Sequence, residues 1–529
     1  MCCPRHERQT IMWRSMARCC PGQRRERATA GQSRSGGRMS GNPPPRSGEI
    51  REEGMQPNVP LAEEIACRDA IALAGGATGS LSPWTLLFDS AAPDDPRGRY
   101  SYLCLDPVER LAVPAEAVRE PGDGMPPAPL EWLSRRLAGW PQLRRPDLPP
   151  FQGGAAGLLS YEFGGWLECL PTPHMEGAPH PLVALGIYDV VVAIDHVADR
   201  AWIVSTGYPE SDPARRSARA RERLEAVRVQ LGSGTPRSAG TSALQLDWRS
   251  DTPRTAYLSK VQRTIDYIHA GDAFQVNLSR ELVAPRPRGL DAFELYSDMR
   301  RRTQAPFSAF FALDDDMAVC SFSPERFVQV GAEGTVETRP IKGTRARGRD
   351  AVSDARLAAE LTQSGKDRAE NLMIVDLLRN DLGRVCRIGS IAVPQLCGLE
   401  SFGAVHHLVS VVTGRLGEGR GSVDLVGAAF PGGSITGAPK IRAMEIIHEL
   451  EGRRRGPYCG SLCWLGFDGS MDSSILIRTM AVDRAHVRYG VGGGIVADSD
   501  PEDEWRETEV KAAAFVGVPE TEASDALLP

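Results

Sequence analysis

Hydrophobic and polar positions alternate in short runs over the first 206 residues. Trp84 to Asp89, Leu182 to Ile194 and Ala201 to Ser205 read as strands between turn clusters, and Pro129 to Leu137 reads as a helix. A charged helix over Pro213 to Leu231 leads into Gly232-Ser-Gly-Thr-Pro-Arg-Ser-Ala-Gly-Thr, the clearest internal linker. Beyond about residue 254 the pattern changes to long amphipathic helices separated by Gly-rich turns, with no repeat at a fixed period. The predicted plan is a basic extension over 1–55, an N-terminal α+β region over 56–232, a linker over 233–250, a second domain over 251–520 and a tail over 521–529.

Composition separates the extension from the body. Residues 1 to 51 carry eleven Arg against Glu7, Glu26 and Glu49. Taking that local +8 from the formal −6 leaves −14 for the rest, a balance that argues against a nucleic-acid partner for the body. The extension is rich in Pro, Gly and Ser without helix or strand period, so it is expected to be disordered. It lacks the apolar core of a secretory signal, and Met39 and Met55 are alternative starts. With 41% hydrophobic residues in 529, the remainder can bury a large core. Its longest apolar stretches, such as Ile187 to Val197, fall short of the ~18–20 residues a bilayer span needs. The twelve Cys follow no framework, which suits reduced thiols in the cytoplasm.

Polar residues of unusual spacing gather after residue 254. Asp367 and Glu370 stand three apart in a helical segment that continues through Ile374 to Asn380, so both carboxylates share one helix face. Glu504, Glu507 and Lys511 repeat that logic near the C-terminus. Two acidic faces meeting across a cleft repel unless a hard cation lies between them, and magnesium takes one or two carboxylates plus substrate oxygens. Two solvated helix faces remain the alternative.

Two Gly-rich segments, Pro431 to Lys440 before a helix and Gly490 to Asp498, read as turns suited to a carboxylate or phosphate. Neither has the spacing of a nucleotide fingerprint. Lys342 follows the strand-like Thr335 to Arg339 and sits in a turn between Pro340 and Gly343, where an amine could be presented as a nucleophile. An exposed turn lysine is the bland alternative. Glu325 could be a general acid if buried, and His407 lies in an apolar run where a satisfied core histidine is the ordinary outcome.

The order of these segments resembles the chorismate-utilising enzymes, the family of anthranilate, isochorismate, salicylate and aminodeoxychorismate synthases, over about residues 80 to 518. The resemblance implies an α+β fold with a large duplicated two-sheet core, its sheets face to face and its helices outside. It implies that Asp367, Glu370, Glu504 and Glu507 are magnesium-site positions, although Asp367 replaces the Glu of some relatives. Arg478, Tyr458, Lys511, Ser434 and the backbone of Gly492, Gly493 and Gly494 match positions that grip chorismate, with Gln275, Thr344 and Gly437 completing the set. Glu325 matches a general acid and His407 an active-site histidine.

Two positions narrow the reaction. Gln275 stands where water-adding relatives carry a basic Lys, and Pro340-Ile-Lys-Gly-Thr344 has Lys where members aminating C2 carry Ala. Both point to amination of chorismate at C4 through a covalent Lys342 adduct. C2 amination, or a non-catalytic chorismate-binding protein, are the alternatives. No glutaminase nucleophile motif is seen, so a separate glutamine amidotransferase subunit is expected to supply ammonia. The segments Pro83 to Ser90 and Phe151 to Gly154 resemble the half that helps form that partnership and, in relatives, a tryptophan pocket. No lyase segment follows residue 518, so later loss of pyruvate is expected of another enzyme.

Overall fold

In the computed structural model, which describes residues 59–516 apart from 68, 78–80, 93–94, 118–127, 233–245, 332 and 403–404, the run Leu182 to Ile194 forms two strands, not the expected one. Asp189 divides Val183–Tyr188 from Val190–Asp195. Its carboxylate is fully buried and takes Arg223 Nε and Nη2 at 2.9–3.1 Å, because a buried charge must be paired. The chain turns there, and the two strands enter different sheets. Val183–Tyr188 pairs with Gly154–Leu159, whereas Val190–Asp195 pairs with Tyr100–Cys104 and Arg200–Ser205.

One sheet has twelve strands and the other ten, built from antiparallel ladders with helices packed against them. This is an α+β fold. Each sheet crosses from the first part of the chain to the second: Leu86–Asp89 pairs with Phe307–Ala312 in one, and Gly154–Leu159 with Ser461–Gly466 in the other. The segments before and after the linker are thus joined by backbone hydrogen bonds, and residues from Met55 on form one compact unit. The extension over 1–55, most of the linker and the tail lie outside the described residues.

The expectation of long helices between Gly-rich turns beyond residue 254 is corrected by many strands, among them Gln275–Pro285, Val405–Arg415 and His486–Ile495. Most positions in these three are buried, so their apolar residues do not alternate with polar ones in the way a half-exposed strand requires. The expected helices exist beside them, including Arg254–His269, Gly365–Gly383, Lys440–Glu451 and Pro501–Val516.

The largest core cluster joins both parts of the chain, with Val183, Leu185 and Ile187 against Phe327, Val328, Ile446 and Ile447. A smaller one under Arg254–His269 joins Tyr257, Val261 and Ile265 to Leu278 and Ile495. Burial of each such side chain contributes roughly 1.5–3 kcal/mol, so these clusters fix the strands that carry the polar groups described next. No described helix is long and apolar enough to cross a membrane.

Candidate active site

Strand Gln275–Pro285 runs antiparallel to His486–Ile495 from Val276 opposite Ile495 to Pro285 opposite His486. The segment expected as a second Gly-rich turn is therefore mostly strand interior, and its glycines have a different cause. A Cβ on Gly490 would stand 2.3 Å from the Tyr458 ring, on Gly492 2.3 Å from Leu278 O, on Gly493 2.9 Å from Glu504 Oε2 and on Gly494 2.0 Å from Gln275 Nε2. Glycine here is a matter of space, and it bares the backbone to whatever approaches.

Gln275 opens its strand opposite Ala438 of the other Gly-rich segment. Gly437 has φ +140°, and a Cβ there would lie 2.1 Å from Gln275 O. That segment is tied down from several sides. Lys440 Nζ donates to Asp381 Oδ2 at 2.8 Å and Ala429 O at 2.7 Å. Asn277 Nδ2 donates to Ser434 O at 3.1 Å, and Arg455 donates to Ile435 O, Asn277 O and both oxygens of Glu451 at 2.6–3.0 Å. The buried Gln275 Oε1 has no hydrogen-bond partner, and a buried acceptor left open calls for a donor from elsewhere.

Lys342 lies on a strand, Ile341–Ala346, and not in the expected turn. The strand pairs with Val405–Arg415, Lys342 opposite Leu408 and Thr344 opposite His407, with the register shifting at Gly343. Such a bulge re-aims the side chains around it. Only glycine fits it, because φ is +75° and a Cβ would meet Asp367 Cγ at 2.9 Å. Thr344 Oγ1 and His407 Nδ1 are 2.9 Å apart. Burial, with the charges of Arg478 and Arg97, pushes His407 down to about 4, so its imidazole is neutral at pH 7. Arg478 itself adopts a left-handed φ of +51°, the kind of local strain that gathers at functional sites. Glu325 is buried, and burial pushes its carboxyl up to about 7 against the opposing Ser434 hydroxyl and Lys342 charge.

The two acidic faces do meet. Glu370 is raised by burial and by the charges of Glu507 and Asp367, against Lys342 and Lys366. Burial and the neighbouring Glu507 likewise raise Glu504, whose Oε1 accepts from Ser499 at 2.7 Å while its Oε2 is buried without a partner. Burial also works on Glu507, but Lys511 Nζ at 2.6 Å outweighs it and holds that carboxyl below the usual range. Lys511 donates as well to Gly492 O at 2.9 Å. Asp367 instead lies 3.4 Å from Arg345 Nη2. Among the described residues no three such groups are arranged to hold a metal ion by themselves, so a magnesium ion there would need further oxygens, such as a substrate's. Asp367, Glu370, Glu504 and Glu507 all bring the hard oxygen donors that magnesium takes, Glu504 Oε2 is open, and Asp367 and Glu507 are already paired with Arg345 and Lys511.

A cavity of about 220 Å³, lined by Arg97, Tyr102, Phe307, Arg326, Trp464 and Asp472 among others, holds none of these groups except Arg97. Arg326 reaches it while its neighbour Glu325 faces the Lys342 side, since successive extended residues point opposite ways.

A profile of chorismate binding enzymes matches residues 89–517. The chain belongs to the chorismate-binding enzyme family. Within it, the chain is 42% identical over 431 residues to a protein of Salmonella typhimurium named aminodeoxychorismate synthase component 1, covering 80% of this chain and 91% of that one. Anthranilate synthase component 1 of Streptomyces coelicolor is 39% identical over 459 residues, 83% of this chain and 86% of that one. The crystal structure of anthranilate synthase component I from Streptococcus pneumoniae superposes with a TM-score of 0.67 at 30% identity, over 78% of this chain and 91% of that one. The chorismate-binding fold is thus present over nearly all described residues.

Three groups of this family member were not singled out from sequence. Asp95 and Arg97, paired at 2.6 Å in the N-terminal part, act electrostatically on His407, and Arg97 on Glu325 too. Arg455 and Glu451 brace the Ser434 turn, and Lys366 stands at the acidic cluster. Only Lys366 carried a local signal, its place beside Asp367 at the start of a helix.

Proposed function

We propose that the chain aminates chorismate at C4, giving 4-amino-4-deoxychorismate in the cytoplasm with ammonia from a separate glutamine amidotransferase subunit. The observation that carries this is the place of Lys342, whose charge acts at once on Glu325, Glu370 and Glu507. The names of relatives at 40–42% identity, aminodeoxychorismate synthase component 1, support the same reading. The N-terminal region over 56–232 takes part in the partnership.

Gln275, Arg478, Lys511 and the backbone around Gly492 to Gly494 hold and orient the substrate, while Tyr458, Ser434 and Gly437 close the pocket around it. Glu370, Glu504 and Glu507, with Asp367 beside them, would hold magnesium, which would supply positive charge to a substrate carboxylate. Glu325, raised to about 7 by burial and so protonated below neutral pH, gives its proton to the departing C4 hydroxyl, which leaves as water. Lys342, its Nζ having passed a proton to solvent, forms a bond to C2 as both ring double bonds shift through C1, C6 and C5 and the C4–O bond breaks. Ammonia then bonds to C4, both double bonds shift back, and the C2–N bond to Lys342 breaks. The proton lost by the new ammonium returns to Glu325. One hard displacement becomes two easier ones, and His407, neutral and held by Thr344, orients the C2 side.

The test is product analysis with chorismate, magnesium and an ammonium salt, followed by mass spectrometry of protein quenched without ammonia. The expected results are 4-amino-4-deoxychorismate and an adduct on Lys342. Anthranilate as the main product overturns the reading, and so does an unmodified Lys342 with full activity in Lys342→Ala.

A further inference from the structure

Four carboxylates meet at the acidic cluster, and each has a cation of this chain beside it. Arg345 stands 3.4 Å from Asp367, Lys511 2.6 Å from Glu507 and Lys366 4.0 Å from Glu504, while the charge of Lys342 bears on Glu370. Lys511 is also anchored on Gly492 O, and Arg345 Nη1 on Thr344 O at 2.9 Å. Lys366 is placed differently. It sits in the first turn of helix Gly365–Gly383 with its side chain 56% exposed, yet it reaches the 4% exposed Glu504. Its charge is felt by Glu370, Glu504 and Glu507 together.

A divalent ion that binds Glu504 and Glu507 enters where this ammonium already partly satisfies the carboxylates. Four acids and four cations leave the cluster near neutrality, so an ion arriving alone adds a net double charge within a few ångströms of Lys366. Like charges at that range cost appreciable free energy even when water screens them. The open Glu504 Oε2 lies beside the bare Gly493 backbone, where a Cβ would come within 2.9 Å of it. The ammonium groups of Lys366 and Lys511 stand against the ion, and of the two only Lys511 is also tied to the backbone.

We propose that Lys366 is the resident counter-ion of the acidic cluster, competing with the divalent cation for Glu504 and holding down the chain's affinity for metal alone. This rests on reading the cluster as the magnesium site. It concerns binding, not turnover, and gives an exposed lysine a role opposite in sign to those of Lys342 and Lys511.

The test is calorimetric binding of MgCl2 to the full chain without substrate. Lys366→Met keeps the aliphatic stem and removes the charge, and it is expected to tighten Mg2+ binding by roughly tenfold. Lys366→Arg is expected to stay near wild type. Unchanged or weaker Mg2+ binding in a folded Lys366→Met overturns the proposal, as does equal tightening in Lys366→Arg. The double variant Glu504→Gln with Glu507→Gln separates the two levels. If it binds Mg2+ as wild type does, the metal reading itself fails; if it loses Mg2+ while Lys366→Met is unchanged, only the counter-ion role fails.

Discussion

The strand pair Gln275–Pro285 and His486–Ile495 and the strand Ile341–Ala346 stand on two sides of the acidic cluster and are built on opposite terms. The first is buried along most of its length and crowded enough that a Cβ at any of four glycines would stand within 2.9 Å of a neighbour. The second is half-exposed at most positions, paired on one side and broken in register at Gly343. The crowded side offers fixed backbone and a buried amide, which suits holding a substrate. The open side offers a long side chain with freedom to travel, which suits a group that must form and break a bond. Precision comes from packing where nothing moves, and reach comes from a flexible stem where something must.

Substitutions that exchange these properties test the contrast. The largest effect is expected for Lys342→Ala, which should abolish 4-amino-4-deoxychorismate and leave any residual amination at C2, as read by chromatography of products. Glu325→Gln should lower kcat by about 10²–10⁴. In the wild type the rate should fall as pH rises through about 7, because the carboxyl raised by burial loses the proton it must donate. That limb should vanish in Glu325→Gln, whereas His407, already neutral above about 4, adds no limb near neutrality.

Smaller effects should separate the two sides by kind. Gly494→Ala on the crowded side forces Gln275 Nε2 to move, so KM for chorismate should rise with little loss of stability. Gly343→Ala on the open side demands a left-handed alanine against Asp367, at a cost of roughly 1–3 kcal/mol visible as a lower denaturation midpoint. If Gly343→Ala leaves stability unchanged while Gly494→Ala unfolds the chain, the assignment of rigid and mobile sides is reversed. The smallest change is expected for Thr344→Val, which removes one hydrogen bond to His407 worth about 0.5–1.5 kcal/mol and should lower kcat by no more than about tenfold.

How much of this was legible in the chain depends on the range of the signal. Asp367 with Glu370, and Glu504 with Glu507 and Lys511, could be paired by helical spacing because both segments are helices. The same reasoning misplaced Lys342, since Pro340 and Gly343 announce a turn while the pairing with Leu408 makes a strand. It also misread Gly490 to Gly494, where glycine marks crowding by Tyr458, Leu278, Glu504 and Gln275 and not a turn. Asp189 was hidden inside an apolar run until Arg223 gave it a partner.

The sequence by itself determined several of the helices, among them Pro213–Gly232 and Gly365–Gly383, which of their faces are acidic, and that the ordered segments resemble one family. Those are properties of neighbours within a few turns of chain. Only the tertiary structure decided that the two acidic faces meet, that Glu325 is buried enough to keep its proton near neutrality, and that Lys342 and Lys366 share one electrostatic neighbourhood. Desolvation and charge coupling depend on distance in space, and residues such as Lys366 and Glu504 are brought within 4.0 Å only when strands from both parts of the chain close the sheets.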